Sequence, residues 1–285
     1  VTTQYTIDDS TNRLYIQTSP NSGTETNPIN LTFNGPVTLG NIVGFDIDSN
    51  VLAPAANAAV TSGFGYAVSN ALDASFNQIS VLLQIDLTTG VETLVGTLGG
   101  ISGGAKVQGL ALQPQQPGTG SVGTPVIGLT RTGITQQLIR FNSGAPGTAT
   151  RVNIAGVSTG ETLVGVAFRP STGQLFGVGI NPTTNTGTLY SIDPQSGVAS
   201  IAFGGTGGAI AFKTGAGAAV AFPDPTVVGY GLDFNPTVDR IRVTTSTGLN
   251  FRVNPTNGQP VDGDLGGTAG SVPNVNTDAN INGGA

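Results

Sequence analysis

Apolar and polar residues alternate with a period of two along most of the chain. The alternating runs close on an acidic or amide residue, pass through a short turn to a glycine, and resume. Leu189-Tyr190-Ser191-Ile192-Asp193 leads through Gly197 to Val198-Ala199-Ser200-Ile201, and Leu83-Gln84-Ile85-Asp86 leads through Gly90 to Val91-Glu92-Thr93-Leu94-Val95. Looser copies are Leu138-Ile139-Arg140-Phe141-Asn142 before Gly144, Phe251-Arg252-Val253-Asn254 before Gly258, and Tyr5-Thr6-Ile7-Asp8 before Asn12 and Leu14. This is the pattern of a β-hairpin: Asp or Asn accepts backbone bonds at the start of the turn, and Gly or Asn supplies the positive φ at its end.

A second element precedes four of the five hairpins. It reads Gly44-Phe45-Asp46-Ile47, Gly109-Leu110-Ala111-Leu112-Gln113-Pro114, Gly165-Val166-Ala167-Phe168-Arg169-Pro170 and Gly231-Leu232-Asp233-Phe234-Asn235-Pro236. Such strands suit the crowded axis of a propeller, where Gly lets neighbouring backbones approach and Pro ends the run. Units spaced roughly 50 to 80 residues apart fit four-stranded blades with loop insertions. The prediction is therefore all-β: a β-propeller of about five blades forming one domain over residues 1–285. The hairpin at Tyr5 has no inner strand before it, and the tail 271–282 has no hairpin after it, so the N- and C-terminal strands are expected to complete one blade together. Helix signals are slight, with at most one turn over residues 70–76.

The run Gly231-Leu232-Asp233-Phe234-Asn235-Pro236-Thr237-Val238-Asp239-Arg240-Ile241-Arg242-Val243, continuing through 247–255, resembles a bacterial secreted β-propeller family catalogued as domain of unknown function 4394. Gly165-Val166-Ala167-Phe168-Arg169-Pro170, Leu189-Tyr190-Ser191-Ile192-Asp193 and Gly44-Phe45-Asp46-Ile47-Asp48 extend the likeness over most of the chain. The family opens near the segment that here is Val126-Ile127-Gly128-Leu129-Thr130. The chain thus resembles a circularly permuted member, with Ala285 and Val1 continuous in an ordinary one. The resemblance implies a propeller and export, and it implies no catalytic residues.

Composition narrows the function. There is no Cys, His, Met or Trp, only 9% of residues are charged, and Gly numbers 44. Triads built on His or Cys, thiol chemistry and the usual zinc ligands are excluded. Ten basic residues without a cluster, in a chain of net charge −6, do not make a nucleic-acid surface. No apolar run reaches the length of a membrane-spanning helix, so membrane insertion is not expected. A chain that begins at Val1 and holds no Met is expected to have lost a signal peptide, placing it outside the cell or at its surface. The lack of oxidation-prone side chains suits such a place.

Candidate chemistry is sparse. Asp239, Arg240 and Arg242 concentrate charge and offer a fork for a carboxylate or saccharide, or else a tie between blades. Asp46 with Asp48, and Asp262 with Asp264, are i, i+2 pairs that put two carboxylates on one strand face. Calcium is the cofactor such oxygens would take, against the commoner role of capping backbone N–H groups. Asn30-Leu31-Thr32 is a glycosylation sequon. Together these features predict no enzyme but an extracellular structural scaffold that self-associates, as a filament or surface-layer subunit joined by terminal strand pairing. The alternative is a binding module holding a glycan or small ligand over the central opening.

Overall fold

The computed structural model describes residues 3–19, 23–52, 54, 58–101, 106–114, 123–205, 209–212 and 218–261. Within them the chain forms five sheets, antiparallel except for one parallel strand at the outer edge of the second, and these are the blades of a five-bladed propeller. Blade I holds β1 (Gln4–Asp8), β2 (Arg13–Ser19) and β3 (Thr24–Asn30). After the short β4 (Thr32–Phe33), blade II runs outward as β5 (Thr38–Ile47), β6 (Phe64–Leu72), β7 (Gln78–Asp86) and β8 (Val91–Thr97). Blade III is β9 (Lys106–Leu112), β10 (Pro125–Thr132), β11 (Thr135–Asn142) and β12 (Ala145–Asn153). Blade IV is β13 (Thr162–Phe168), β14 (Leu175–Asn181), β15 (Thr186–Ile192) and β16 (Ala199–Ile201). Blade V is β17 (Tyr230–Asn235), β18 (Arg240–Thr245), β19 (Asn250–Val253) and β20 (Pro260–Val261).

The four Gly-led elements are the inner strands β5, β9, β13 and β17, and the reason for glycine is close approach. A Cβ on Gly44 would lie 2.8 Å from the Leu110 nitrogen of β9, and one on Gly165 would lie 2.8 Å from the Leu232 Cβ of β17. Four of the five predicted hairpins join the third strand of a blade to its fourth. Asp193 Oδ1 accepts the N–H groups of Gln195 and Ser196 at 2.7 and 3.0 Å, and Gly197 closes the turn at φ 73°. Asp86 and Gly90 repeat the arrangement.

The hairpin at Tyr5 departs from the pattern. It joins β1 to β2, and whereas the inner strands β5, β9, β13 and β17 pack on one another in series, β1 makes no comparable packing with β5 or β17. β1 therefore holds the second place in blade I, and no described strand lies inside it. The segment 70–76, read as at most one helical turn, is instead the end of β6 followed by an Asx turn in which Asp73 Oδ1 accepts the N–H groups of Ser75 and Asn77.

Links between blades also follow one plan. β4 adds to blade II parallel to its outer strand β8, and Ala155 adds to blade IV in the same way beside Val198. The apolar core is divided among the joints between blades. Separate clusters of buried side chains join I to II, II to III, III to IV and IV to V. Among the described residues none joins V to I. No helix among them is long and apolar enough to cross a membrane.

Candidate functional site

The inner strands carry two carboxylates to the axis. Asp46 stands two residues after Gly44 in β5 and Asp233 two residues after Gly231 in β17, whereas Ala111 and Ala167 hold these places in β9 and β13. Asp46 Oδ1 accepts the Ile47 N–H at 2.7 Å, and its Oδ2 reaches the next blade to accept the Leu112 N–H of β9 at 2.7 Å. The side chain thus satisfies an inner-edge donor that has no ladder partner. Asp233 Oδ1 accepts the Phe234 N–H of its own strand at 2.7 Å. It stands where it would reach a next inner strand, and that strand would belong to blade I.

Asp46 is half-buried and Asp233 is exposed, although both stand on the close-packed inner strands. This crowding lifts the Asp233 carboxyl to about 6. It also lifts Asp46 well above the carboxylate range, and the Asp233 charge pushes it further. A raised folded-state value means that the folded chain holds protons the unfolded chain releases nearer 3.8. Stability from these groups is therefore greatest at low pH and is lost as pH rises through about 6. We expect Tm to rise by about 1–3 °C between about pH 7.5 and pH 5.5, the size being limited by their exposure. Asp233→Asn should raise Tm at about pH 7.5 and flatten that slope. Thermal melts across the range check this, and a wild-type Tm that falls on acidification contradicts it.

Of the remaining predicted residues, Asp48 and Asp239 fasten neighbouring blades. Asp48 Oδ1 accepts the Asn50 N–H and its Oδ2 accepts the Thr124 hydroxyl at 2.8 Å, so donors from loops around blades II and III hold its oxygens. Asp262 and Asp264 lie outside the described residues. Asp239, in the left-handed region at φ 49°, accepts from Arg169 Nε at 2.9 Å and pairs with the same guanidinium through Nη2. Arg169, from the end of β13, holds that carboxyl below its usual range and ties blade IV to blade V. Arg240 and Arg242 do not join this pair. Arg240 donates to the Val238 and Asp239 carbonyls, and the buried Arg242 donates to Asn250 Oδ1 at 2.6 Å. Asn30 is exposed at the end of β3 and accepts from Arg13 Nε at 3.1 Å.

The sequence reading missed Arg169, whose signal was a charged residue where a sister inner strand has Asn235. It also missed the pair Asp9 and Glu92, which line a cavity between blades I and II. Among the described residues no three acidic side chains converge as a metal-binding group.

Comparison with solved structures returns a structural-genomics protein of unknown function from Bacteroides thetaiotaomicron VPI-5482, 11% identical with a TM-score of 0.45, over 79% of this chain and 43% of that one. It also returns the Cps50 (Swd1) β-propeller domain of Myceliophteria thermophila, 9% identical with a TM-score of 0.39, over 87% and 64%. A third is the Dos1 propeller, 10% identical with a TM-score of 0.38, over 89% and 69%. The chain thus spans less than half of the Bacteroides protein and about two thirds of the two propellers. No curated protein matches the sequence significantly. A family model does match, over residues 1–111 and 137–285, and on that match the chain belongs to the family described as domain of unknown function DUF4394.

Proposed function

We propose that the protein is an extracellular structural subunit that self-associates by strand pairing at blade I. The observation that carries this reading is the second-place position of β1 in a blade whose described strands number three, where each other blade has a strand inside. An inner edge of this kind takes an added strand through main-chain hydrogen bonds, from the same chain or from a neighbour. Asp233, waiting across the seam for a backbone donor as Asp46 does for Leu112, supports the same reading. So does the surface: a shell poor in charge, without thiols, imidazoles or thioethers, suits durability and assembly more than catalysis. If one chain supplies the strand to the next, the contact is head to tail and grows a filament unless it closes into a ring.

Light scattering of the full chain from micromolar to near-millimolar concentration, followed by electron microscopy, tests this. The expected result is a mass that increases with concentration and elongated particles of repeating width. A particle that stays strictly monomeric throughout overturns the proposal.

A further inference from the structure

The joint between blades I and II contains a cavity of about 430 Å³ whose polar lining carries negative charge and no compensating base. The β1–β2 turn contributes Asp9 and Asn12, β4 contributes Phe33, β5 contributes Asn41, and β8 contributes Glu92. No Lys or Arg lines it. Glu92 is only 5% exposed, and its Oε1 is buried without a hydrogen-bond partner. β4 causes this burial by lying along β8 with Phe33 opposite Glu92. Of the Asp9 oxygens, Oδ1 accepts the Ile42 N–H at 3.0 Å. Asn12 donates its Nδ2 to the Leu31 carbonyl, which leaves its Oδ1 as an acceptor.

A buried carboxylate oxygen with neither donor nor base is costly; burial and the nearby Asp9 charge favour a proton on Glu92, and a cation in the cavity would relieve both carboxylates at once. The surrounding groups decide what kind. They are two carboxylates and two amides, a hard-oxygen set without the His and Cys that softer metals prefer. The cavity opens to solvent on one side, and its volume equals that of roughly 14 waters at about 30 Å³ each, enough for an ion that keeps part of its hydration shell. We propose that this cavity is a calcium-class divalent cation site, with Glu92 and Asp9 as the charged ligands and the amides of Asn12 and Asn41 completing it through oxygen or water. The ion would hold the β1–β2 turn of blade I against β5 and β8 of blade II. Affinity in the range of extracellular calcium modules, about 0.1–1 mM, follows from two carboxylates on a partly open site. The inference stands apart from strand pairing, since every group in it lies among the described residues of one chain.

The test is calorimetric titration and thermal melting of the chelator-treated full chain with calcium chloride, against sodium chloride at matched ionic strength. The expected result is one binding event per chain and a Tm rise of about 2–5 °C at about 5 mM calcium. Glu92→Gln should abolish the heat and the shift while remaining folded, because it removes a buried charge without changing shape. Asp9→Asn, nearer the surface, should weaken binding about tenfold or more. No calcium response in the wild type up to about 10 mM overturns the site. So does a response equalled by sodium chloride, or one that both variants retain in full.

Discussion

Phe251→Ala is expected to destabilise the fold by about 3–5 kcal/mol. Phe251 is fully buried in β19, with ring centroids 5.2 Å from Phe212 and 5.3 Å from Phe222. Those two partners belong to the connection between blades IV and V, in which Val220 N–H donates to the Phe212 carbonyl at 2.9 Å. Two rings from outside the regular strands therefore close on Phe251 of β19, and removing this shared partner leaves a cavity between them. Tilted and edge-on packing of the Phe251 ring adds to the loss. Chemical denaturation should show the fall in midpoint with an unchanged slope, and thermal melting a drop of roughly 8–15 °C. Ile134→Ala, at a fully exposed turn, should change stability by no more than about 0.5 kcal/mol. A Phe251→Ala cost below about 1 kcal/mol would contradict the packing described.

Gly44→Val should cost about 2–3 kcal/mol by a different route. The first carbon of the new side chain would meet the Leu110 nitrogen at 2.8 Å and the Gly109 carbonyl carbon at 2.9 Å, so only backbone movement can make room. Movement would part β5 from β9 and stretch the bond from Asp46 to the Leu112 N–H. Gly147→Val in β12 is the control. Its added carbon would find only the Thr97 carbonyl oxygen at 4.0 Å, and valine suits a strand. Equal stability of the two variants in denaturant would show that close approach at the axis does not limit the fold.

The inner strands and the hairpins were legible in the sequence because each depends on local chemistry: a Gly at a contact, an Asp at a turn, a period of two. The order of strands in blade I was not legible. A hairpin written Tyr5-Thr6-Ile7-Asp8 looks the same whether it joins the second strand to the third or the third to the fourth. Only the pairing of β2 with a further strand, β3, separates the two. Phase misled at Glu92 as well. In Val91-Glu92-Thr93-Leu94-Val95 the valines suggest the inward face, yet Val91 is 48% exposed and Glu92 is the buried residue, because β4 arrives from outside the blade to cover it. The charge concentrated at 239–242 was visible, but its partner Arg169 lies 70 residues away, and adjacency in sequence said nothing of which guanidinium would reach Asp239. Local signals therefore described each blade better than the joints, and the candidate sites lie at the joints.

The core is cemented at four blade joints, and no such cluster spans the fifth among the described residues. Each described joint is a separate apolar cluster shared by just two adjacent blades, so emptying one joint weakens those two directly and the rest only through nearest neighbours.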